Sequence, residues 1–168
     1  MKLKLIQIKT KALLKRNRQI RTNPPYKHAR TIGIIFTVED KQKHFYVKEF
    51  VRRLENDGKH IQVLEYLPEK RDNYEFKFEF FTEKDFSFWG HLYSPNAIQF
   101  ADAPFDFLFC LDAEPNPFVL HILARSRAKC RIGRHWEKHE QYLDFMIASA
   151  GNVQALGDGF YRYVTMLK

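Results

Sequence analysis

The chain has 168 residues, of which 45% are hydrophobic and 29% are charged, and its formal net charge is +8 at pH 7. This length suits one domain with a sizeable core and is short for two, and the composition excludes a disordered chain. No apolar run reaches the roughly 18–20 residues that a membrane span needs, and lysines interrupt the N-terminus where a signal peptide would be apolar. We therefore expect a cytoplasmic protein, either free or peripheral to the inner face of the membrane.

The positive charge is concentrated at the start of the chain. Residues 1–38 contain ten lysines and arginines and no acid, so the remaining 18 basic and 20 acidic residues give the rest of the chain a charge of −2. Apolar residues within residues 1–22 recur close to helical spacing, and two consecutive prolines then stop a helix. The sequence predicts a basic amphipathic helix over 1–22, a linker over 23–29 and an α/β domain over 30–168. The basic side chains expected to contact an anionic partner are Lys4, Lys9, Lys11, Lys15, Arg16, Arg18 and Arg21.

Such a helix has several alternative partners. It can neutralise the phosphates of RNA, or lie on a membrane face with its apolar stripe in the lipid, or bind a protein. It can also dock its apolar side on its own domain and leave the lysines solvated.

The first elements of the predicted domain form a βαβ unit. Residues 30–38 are a continuous β-rich apolar run, typical of a strand buried on both faces. One apolar helical face follows within 39–58, and residues 61–67 read as a second strand. In residues 73–81 phenylalanines alternate with charged residues, which indicates an edge strand.

The remaining elements continue the alternation of strands and helices. A turn capped by Thr82 and ended by Gly90 precedes a short helix at 94–103. Later segments are a strand at 105–112, a helix begun at Pro117, strands at 129–135 and 142–148, and a C-terminal helix. This pattern predicts an α/β fold, a single three-layer Rossmann-like domain with a mostly parallel sheet, carrying an added basic N-terminal helix.

Charged side chains follow the carboxyl ends of several predicted strands, where open α/β sheets bind ligands. The candidate cleft residues are Glu39, Asp112, Arg134 and His135, which could do general acid–base work or serve only as solvated charges and helix caps. Neither GxGxxG nor GxxxxGK[ST] occurs, so we expect no nucleotide cofactor. His135 and His139 are four residues apart, but no third ligand is evident, so we expect no metal site.

Cys110 and Cys130 lie in strand-like apolar runs, and we expect both to be buried, reduced packing residues rather than nucleophiles.

The blocks RTIGIIF, FFTEKDFSFWG, FDFLFCLD, ILARSRAKCRIGR and YLDFMI, in that order behind a basic helix, resemble a bacterial family known only as a domain of unknown function. That resemblance covers nearly the whole chain and implies no activity. Residues 105–134 are also similar to a strand–helix–strand in the N-terminal half of heptosyltransferase-like glycosyltransferases. Those enzymes hold the nucleotide-sugar mainly in a second domain, for which this chain has no room.

Three functional hypotheses follow. The first is a non-catalytic module that docks through its basic helix onto RNA, a membrane or a protein. The second is a small Rossmann-like enzyme or ligand-binding protein acting on a sugar or nucleotide at the candidate cleft. The third is an obligate subunit whose Phe-rich segment 73–92 forms an interface. We favour the first, because the sequence contains no catalytic signature.

Overall fold

A single parallel sheet organises the chain. The computed structural model of the protein describes residues 1–74, 78–149 and 151–167. Its strands are β1 (Thr31–Thr37), β2 (His60–Tyr66), β3 (Glu79–Phe81), β4 (Phe107–Cys110), β5 (Cys130–Arg134) and β6 (Phe145–Ile147). Its α-helices are α1 (Lys2–Arg16), α2 (Lys41–Asn56), α3 (Pro95–Asp102), α4 (Pro117–Arg125) and α5 (Val153–Thr165).

The six strands of the described residues pair in the order β3-β2-β1-β4-β5-β6, and every pairing is parallel. The predicted α/β, Rossmann-like fold with its N-terminal helix is therefore confirmed. The order of the strands reverses between β1 and β4, which is the place where sheets of this kind leave a crevice. In the register of this pair, Ile35 lies opposite Cys110.

Helices cover both faces of the sheet. One core contains side chains of α1, α3 and α4, and the other contains side chains of α2 and α5. Alternation along β4 divides its side chains between the two cores, since Leu108 belongs to the first core while Phe107 and Phe109 belong to the second. Most of the large buried rings are phenylalanines. The fully buried ones are Phe36, Phe81, Phe86, Phe105, Phe107, Phe109 and Phe160.

Helix α1 is shorter than the predicted segment 1–22. It ends at Arg16 because the Asn17 side chain, in extended backbone geometry, donates 2.9 Å hydrogen bonds to the carbonyls of Ala124 and Ser126 at the end of α4. The chain then runs extended beside the start of β5, where the Thr22 amide donates to the Lys129 carbonyl. Tertiary contacts with α4 and β5 therefore end the helix before the prolines are reached.

Of the predicted edge strand over 73–81, the described residues form a strand only at Glu79–Phe81, which is β3 and pairs with the last three residues of β2 at one edge of the sheet. Residues 75–77 of that prediction lie outside the described residues. The turn after β3 is a short 3₁₀ segment with a capping box, in which Thr82 accepts from the Lys84 amide and Asp85 accepts from the Thr82 amide. Among the described residues, no helix has the length and apolar character needed to cross a membrane.

Candidate functional site

The crevice between β1 and β4 is where the sequence places its candidate ligand cleft. Asp112 lies two residues beyond β4 and is 2% exposed. One of its carboxylate oxygens accepts from the Thr37 amide at 2.7 Å, and the other accepts from the Thr37 hydroxyl at 2.6 Å. Asp112 therefore ties the end of β4 to the end of β1.

Lys43 completes this cluster from the first turn of α2. Its ammonium lies 2.8 Å from the Asp112 carboxylate and 3.4 Å from that of Glu39, and the side chain is 3% exposed. Burial by itself would lower the pKa of Lys43, but the Asp112 and Glu39 carboxylates outweigh it and raise the pKa. The lysine therefore stays charged, and Asp112 is paired with a buried cation.

Arg134 lies on the same rim. It lines a cleft of about 190 Å³ together with Glu39, Lys43 and Asn152, and its guanidinium donates to the Ala113 carbonyl at 3.3 Å. Asn152 is the N-cap of α5, where its side chain accepts from the Ala155 amide. The structure thus brings Glu39, Asp112 and Arg134 together at the carboxyl ends of the parallel strands.

His135 does not join them. Its Nε2 atom lies 3.0 Å from the Glu140 carboxylate in an exposed pair, and the residue is not part of the cleft lining. His139 makes an edge contact with the Tyr142 ring. Within the described residues, no group of three or more His, Cys, Asp or Glu side chains could hold a metal ion.

The polar groups of this cluster bind one another and stabilise the fold. Both oxygens of Asp112 already accept hydrogen bonds from the chain's own groups, and the Lys43 ammonium is held between two carboxylates. Asn116, the N-cap of α4, adds a 2.6 Å hydrogen bond from its amide to the Thr37 hydroxyl. These contacts fix the ends of β1 and β4 and the starts of α2 and α4.

Lys43 is not among the residues predicted from the sequence, although its position carries a signal. Val47 and Phe50, which lie four and seven residues later, form the buried face of α2, so a lysine at that spacing occupies the same face. A buried lysine needs an acidic partner, and Asp112 is the buried acid at the adjacent strand end.

The second candidate site is the surface of α1. Ile6 is fully buried in the core, and Thr10 contacts His121 of α4, with 2.8 Å between Oγ1 and Nδ1. Burial lowers the pKa of His121 to about 4, with the nearby Arg125 contributing in the same direction. The ring is therefore neutral at physiological pH, because burial disfavours the charged imidazolium.

The opposite face of α1 is basic and exposed. Lys4, Lys11 and Lys15 recur at spacings of seven and four residues, with exposed Ile8 between them, so these side chains share one helical face. Arg16, the last residue of α1, and Arg18, just beyond the helix, continue the exposed charge. We call Lys4, Ile8, Lys11 and Lys15 the basic face of α1.

The other two predicted contact residues are placed differently. Lys9 is half-buried. Arg21 donates to the Ala128 carbonyl and lies 3.8 Å from the Asp144 carboxylate, and its burial lowers the pKa of the guanidinium to about 10, with Arg131 contributing next. Arg21 thus holds the extended segment against the domain. Of the seven side chains predicted to contact an anionic partner, the other five are exposed.

A groove of about 810 Å³ continues the basic surface past the end of α1. Arg16 and Arg18 line one part of it, and Arg125 and Arg127 line another. Asp102 neutralises Arg125 through a bidentate pair, with N–O distances of 3.0 and 3.1 Å. The groove therefore keeps an excess of positive charge.

Together, fold and site define a single-sheet, all-parallel α/β protein with a basic helix docked on one helical layer. The chain belongs to a family of unknown function, DUF6913, whose family model matches residues 2–167. This match confirms the predicted membership of such a family over nearly the whole chain. No curated protein and no solved structure matches the chain. The similarity of residues 105–134 to heptosyltransferase-like enzymes stays a prediction.

Proposed function

We propose that this protein is a non-catalytic binding module that docks onto an anionic surface through the basic face of α1. One observation carries the proposal: α1 is fixed to the domain by its apolar side, while Lys4, Lys11 and Lys15 stay exposed on the other side. A rigid helix that presents several lysines on one face attracts phosphates or anionic headgroups.

Two further features support this function. Residues 1–38 contain no acid, so no carboxylate from this segment competes for the lysines. The arginine-lined groove at the end of α1 prolongs the positive surface. Guanidinium groups suit phosphate groups because they can donate two parallel hydrogen bonds.

The competing hypothesis, a small enzyme or ligand-binding protein using the crevice, has less support. The Asp112 carboxylate already accepts hydrogen bonds from Thr37 and Lys43. His135 pairs with Glu140 and does not line the cleft. The volume of about 190 Å³ is also below the range of roughly 300–1,000 Å³ typical of small-molecule pockets.

The proposal places the protein in the cytoplasm, with an anionic partner that is either nucleic acid or the inner face of the membrane. Both cysteines are free thiols in the structure, which suits a reducing compartment.

Charge reversal tests the proposal more sharply than deletion of residues 1–22, because Ile6 belongs to the core and its removal would damage the fold. The test variant is Lys4→Glu/Lys11→Glu/Lys15→Glu. Binding is measured to single-stranded RNA and to vesicles of phosphatidylcholine and phosphatidylglycerol across a salt series. We expect at least about a hundredfold weaker binding, because each lysine near an anionic surface is worth about 1 kcal/mol.

A matched control reverses three exposed basic residues on the opposite helical layer, as Lys41→Glu/Arg52→Glu/Arg162→Glu. This variant has the same net charge as the test variant. Equal losses in the two variants would mean that only the net charge matters. Unchanged binding in the test variant would remove α1 as the contact. Either result would overturn the proposal.

A further inference from the structure

A tight turn next to α1 holds two aromatic side chains in solvent. The Gly90 amide donates to the Ser87 carbonyl at 2.9 Å, and the Ser87 amide donates to the His91 carbonyl at 2.8 Å. Phe88 and Trp89 occupy the two positions between Ser87 and Gly90 and are 54% and 65% exposed. Their rings make an edge contact with each other, with centroids 5.4 Å apart. The tip of the turn is thus apolar and well ordered by backbone hydrogen bonds.

The turn is fixed to the first turns of α1. Gly90 has a positive φ of 83°, and a Cβ atom at this position would lie 2.9 Å from the backbone of Leu5 and Ile6. The Lys2 ammonium donates to the Glu83 carbonyl at 2.8 Å. These two contacts hold the aromatic turn rigidly beside the first turns of α1.

Several exposed apolar side chains belong to α1 or to this turn. Six of the ten large hydrophobic side chains that are exposed among the described residues belong to α1 or to the turn and its flank. These six are Met1, Leu3, Ile8, Phe88, Trp89 and Tyr93. Tyr93 is held at the base of the turn, where its hydroxyl donates to the Lys84 carbonyl and its amide to the Asp85 carbonyl. Exposed apolar side chains gathered on two adjoining elements are typical of an interaction site.

We infer that the basic face of α1 and the aromatic turn 87–93 together form a docking surface for an anionic lipid bilayer. This inference rests on the proposed function and names its partner. Lysines attract the anionic headgroups, while Trp and Phe enter the boundary between headgroups and acyl chains, where aromatic side chains are favoured.

Two features favour a bilayer over RNA. The planes of Phe88 and Trp89 are 87° apart, so the two rings do not present one flat platform on which successive bases could stack. Met1 and Ile8, seven residues apart on the side of the basic face, are aliphatic, and they gain free energy by entering lipid but have no part in base stacking.

A second copy of the chain fits this docking surface less well than a bilayer does. A two-fold contact through this surface would bring the lysines of one α1 close to those of the other, because each patch would face itself. Like charges directly opposed destabilise such an interface.

Fluorescence of Trp89 tests the inference directly. The chain has two tryptophans, and Trp136 is only 4% exposed, so Trp136→Phe leaves Trp89 as the sole reporter. On addition of vesicles of phosphatidylcholine and phosphatidylglycerol, we expect its emission to shift to shorter wavelength and to be quenched by brominated acyl chains. Vesicles of phosphatidylcholine alone should cause no shift.

The binding of variants to the same vesicles provides the second measurement. Phe88→Ser/Trp89→Ser should weaken vesicle partitioning at least about tenfold, because two aromatic side chains no longer leave water. The control Phe45→Ser changes a comparably exposed aromatic on α2 and should alter partitioning by less than about twofold.

The outcomes separate this inference from the proposed function. Vesicle binding that needs the lysines but leaves Trp89 emission and the Phe88→Ser/Trp89→Ser variant unaffected would overturn the inference and keep the function. Binding to RNA with none to vesicles would do the same. A dimer seen by light scattering, with Trp89 emission dependent on protein concentration, would overturn the inference in favour of a second copy. Failure to bind either RNA or vesicles would overturn both.

Discussion

Thr10 of α1 and His121 of α4 are joined by a buried hydrogen bond, with 2.8 Å between Oγ1 and Nδ1. The Thr10 hydroxyl also donates to the Ile6 carbonyl at 2.8 Å. Because a hydroxyl has a single proton, it accepts from His121, and the imidazole carries its proton on Nδ1. This hydrogen bond holds the basic helix at a fixed position on the domain.

The first prediction concerns pH. An unfolded histidine titrates near 6.5, whereas burial lowers the pKa of His121 to about 4. Between these values the unfolded state binds more protons than the folded state, so stability is lost as the pH falls from about 6.5 towards 4, by no more than about 3 kcal/mol from this group. His121→Asn keeps a donor near the position of Nδ1 and should reduce this loss.

Urea unfolding of the wild type and of His121→Asn at several pH values measures the difference, and other titrating groups cancel in the comparison. Equal pH dependence in both proteins would show that His121 does not couple stability to pH.

A second prediction concerns the buried pair of Lys43 and Asp112. Asp112→Ala would leave a buried ammonium with Glu39 as its remaining acidic partner, and should lower the free energy of unfolding by about 3–5 kcal/mol. In the double variant Lys43→Met/Asp112→Leu, the loss should be smaller than the sum of the single losses, because no unpaired charge remains.

The control for this pair is the exposed bridge between Arg53 and Asp158, whose N–O distance is 2.9 Å. Asp158→Ala should cost less than about 1 kcal/mol, since solvent screens an exposed pair. Chemical denaturation of all the variants provides the measurement. A cost for Asp112→Ala similar to that for Asp158→Ala would contradict the role given to the buried cluster.

A third prediction compares two glycines with nearly the same backbone angle. Gly58 has φ of 82° and no atom within 4 Å of an added Cβ, while Gly90 has φ of 83° and the α1 backbone at 2.9 Å. Gly58→Ala should cost about 1–2 kcal/mol for the left-handed conformation alone. Gly90→Ala should cost about 1–3 kcal/mol more, because the turn must move away from α1.

Thermal and urea unfolding of Gly58→Ala and Gly90→Ala measure the loss of stability in each variant. Equal changes in the free energy of unfolding would show that the turn can move away from α1 at no cost. The aromatic turn would then not be held rigidly against α1.

The fourth prediction concerns the cysteines. Burial raises the pKa of both thiols, to about 12 for Cys130, whose sulfur also donates to the Asn23 side chain. Neither thiol should react with a thiol reagent at about pH 8 until the protein unfolds, because the thiolate is the reactive form. Ala113→Cys introduces an exposed thiol that should react at once. Rapid reaction of either native cysteine in the folded wild type would contradict the burial.

The sequence could predict the sheet because its local signals agree with each other. Residues 30–38 and 105–112 are apolar on both faces, and β1 and β4 are the two central strands. Thr82, Ser94, Asn116 and Asn152 are helix N-caps, where short polar side chains accept from the first free amides. Such signals depend only on neighbouring residues.

The candidate cleft was predictable only in part. Since parallel strands end at one edge of the sheet, the positions of Glu39, Asp112 and Arg134 follow from the strand pattern. The direction of a side chain after the strand does not, and the exposed pair with Glu140 was not visible from the position of His135. Lys43 became part of the cluster through a contact 69 residues away in sequence.

By itself, the amino-acid sequence determined the parallel α/β fold and the concentration of positive charge in residues 1–38, because periodicity, capping residues and charge counts are local properties. Only the tertiary structure decided which side of α1 faces solvent, where α1 ends, and that Phe88 and Trp89 stand beside it. Contacts between residues distant in the sequence fix these features, such as Thr10 with His121 and Gly90 with the backbone of Leu5.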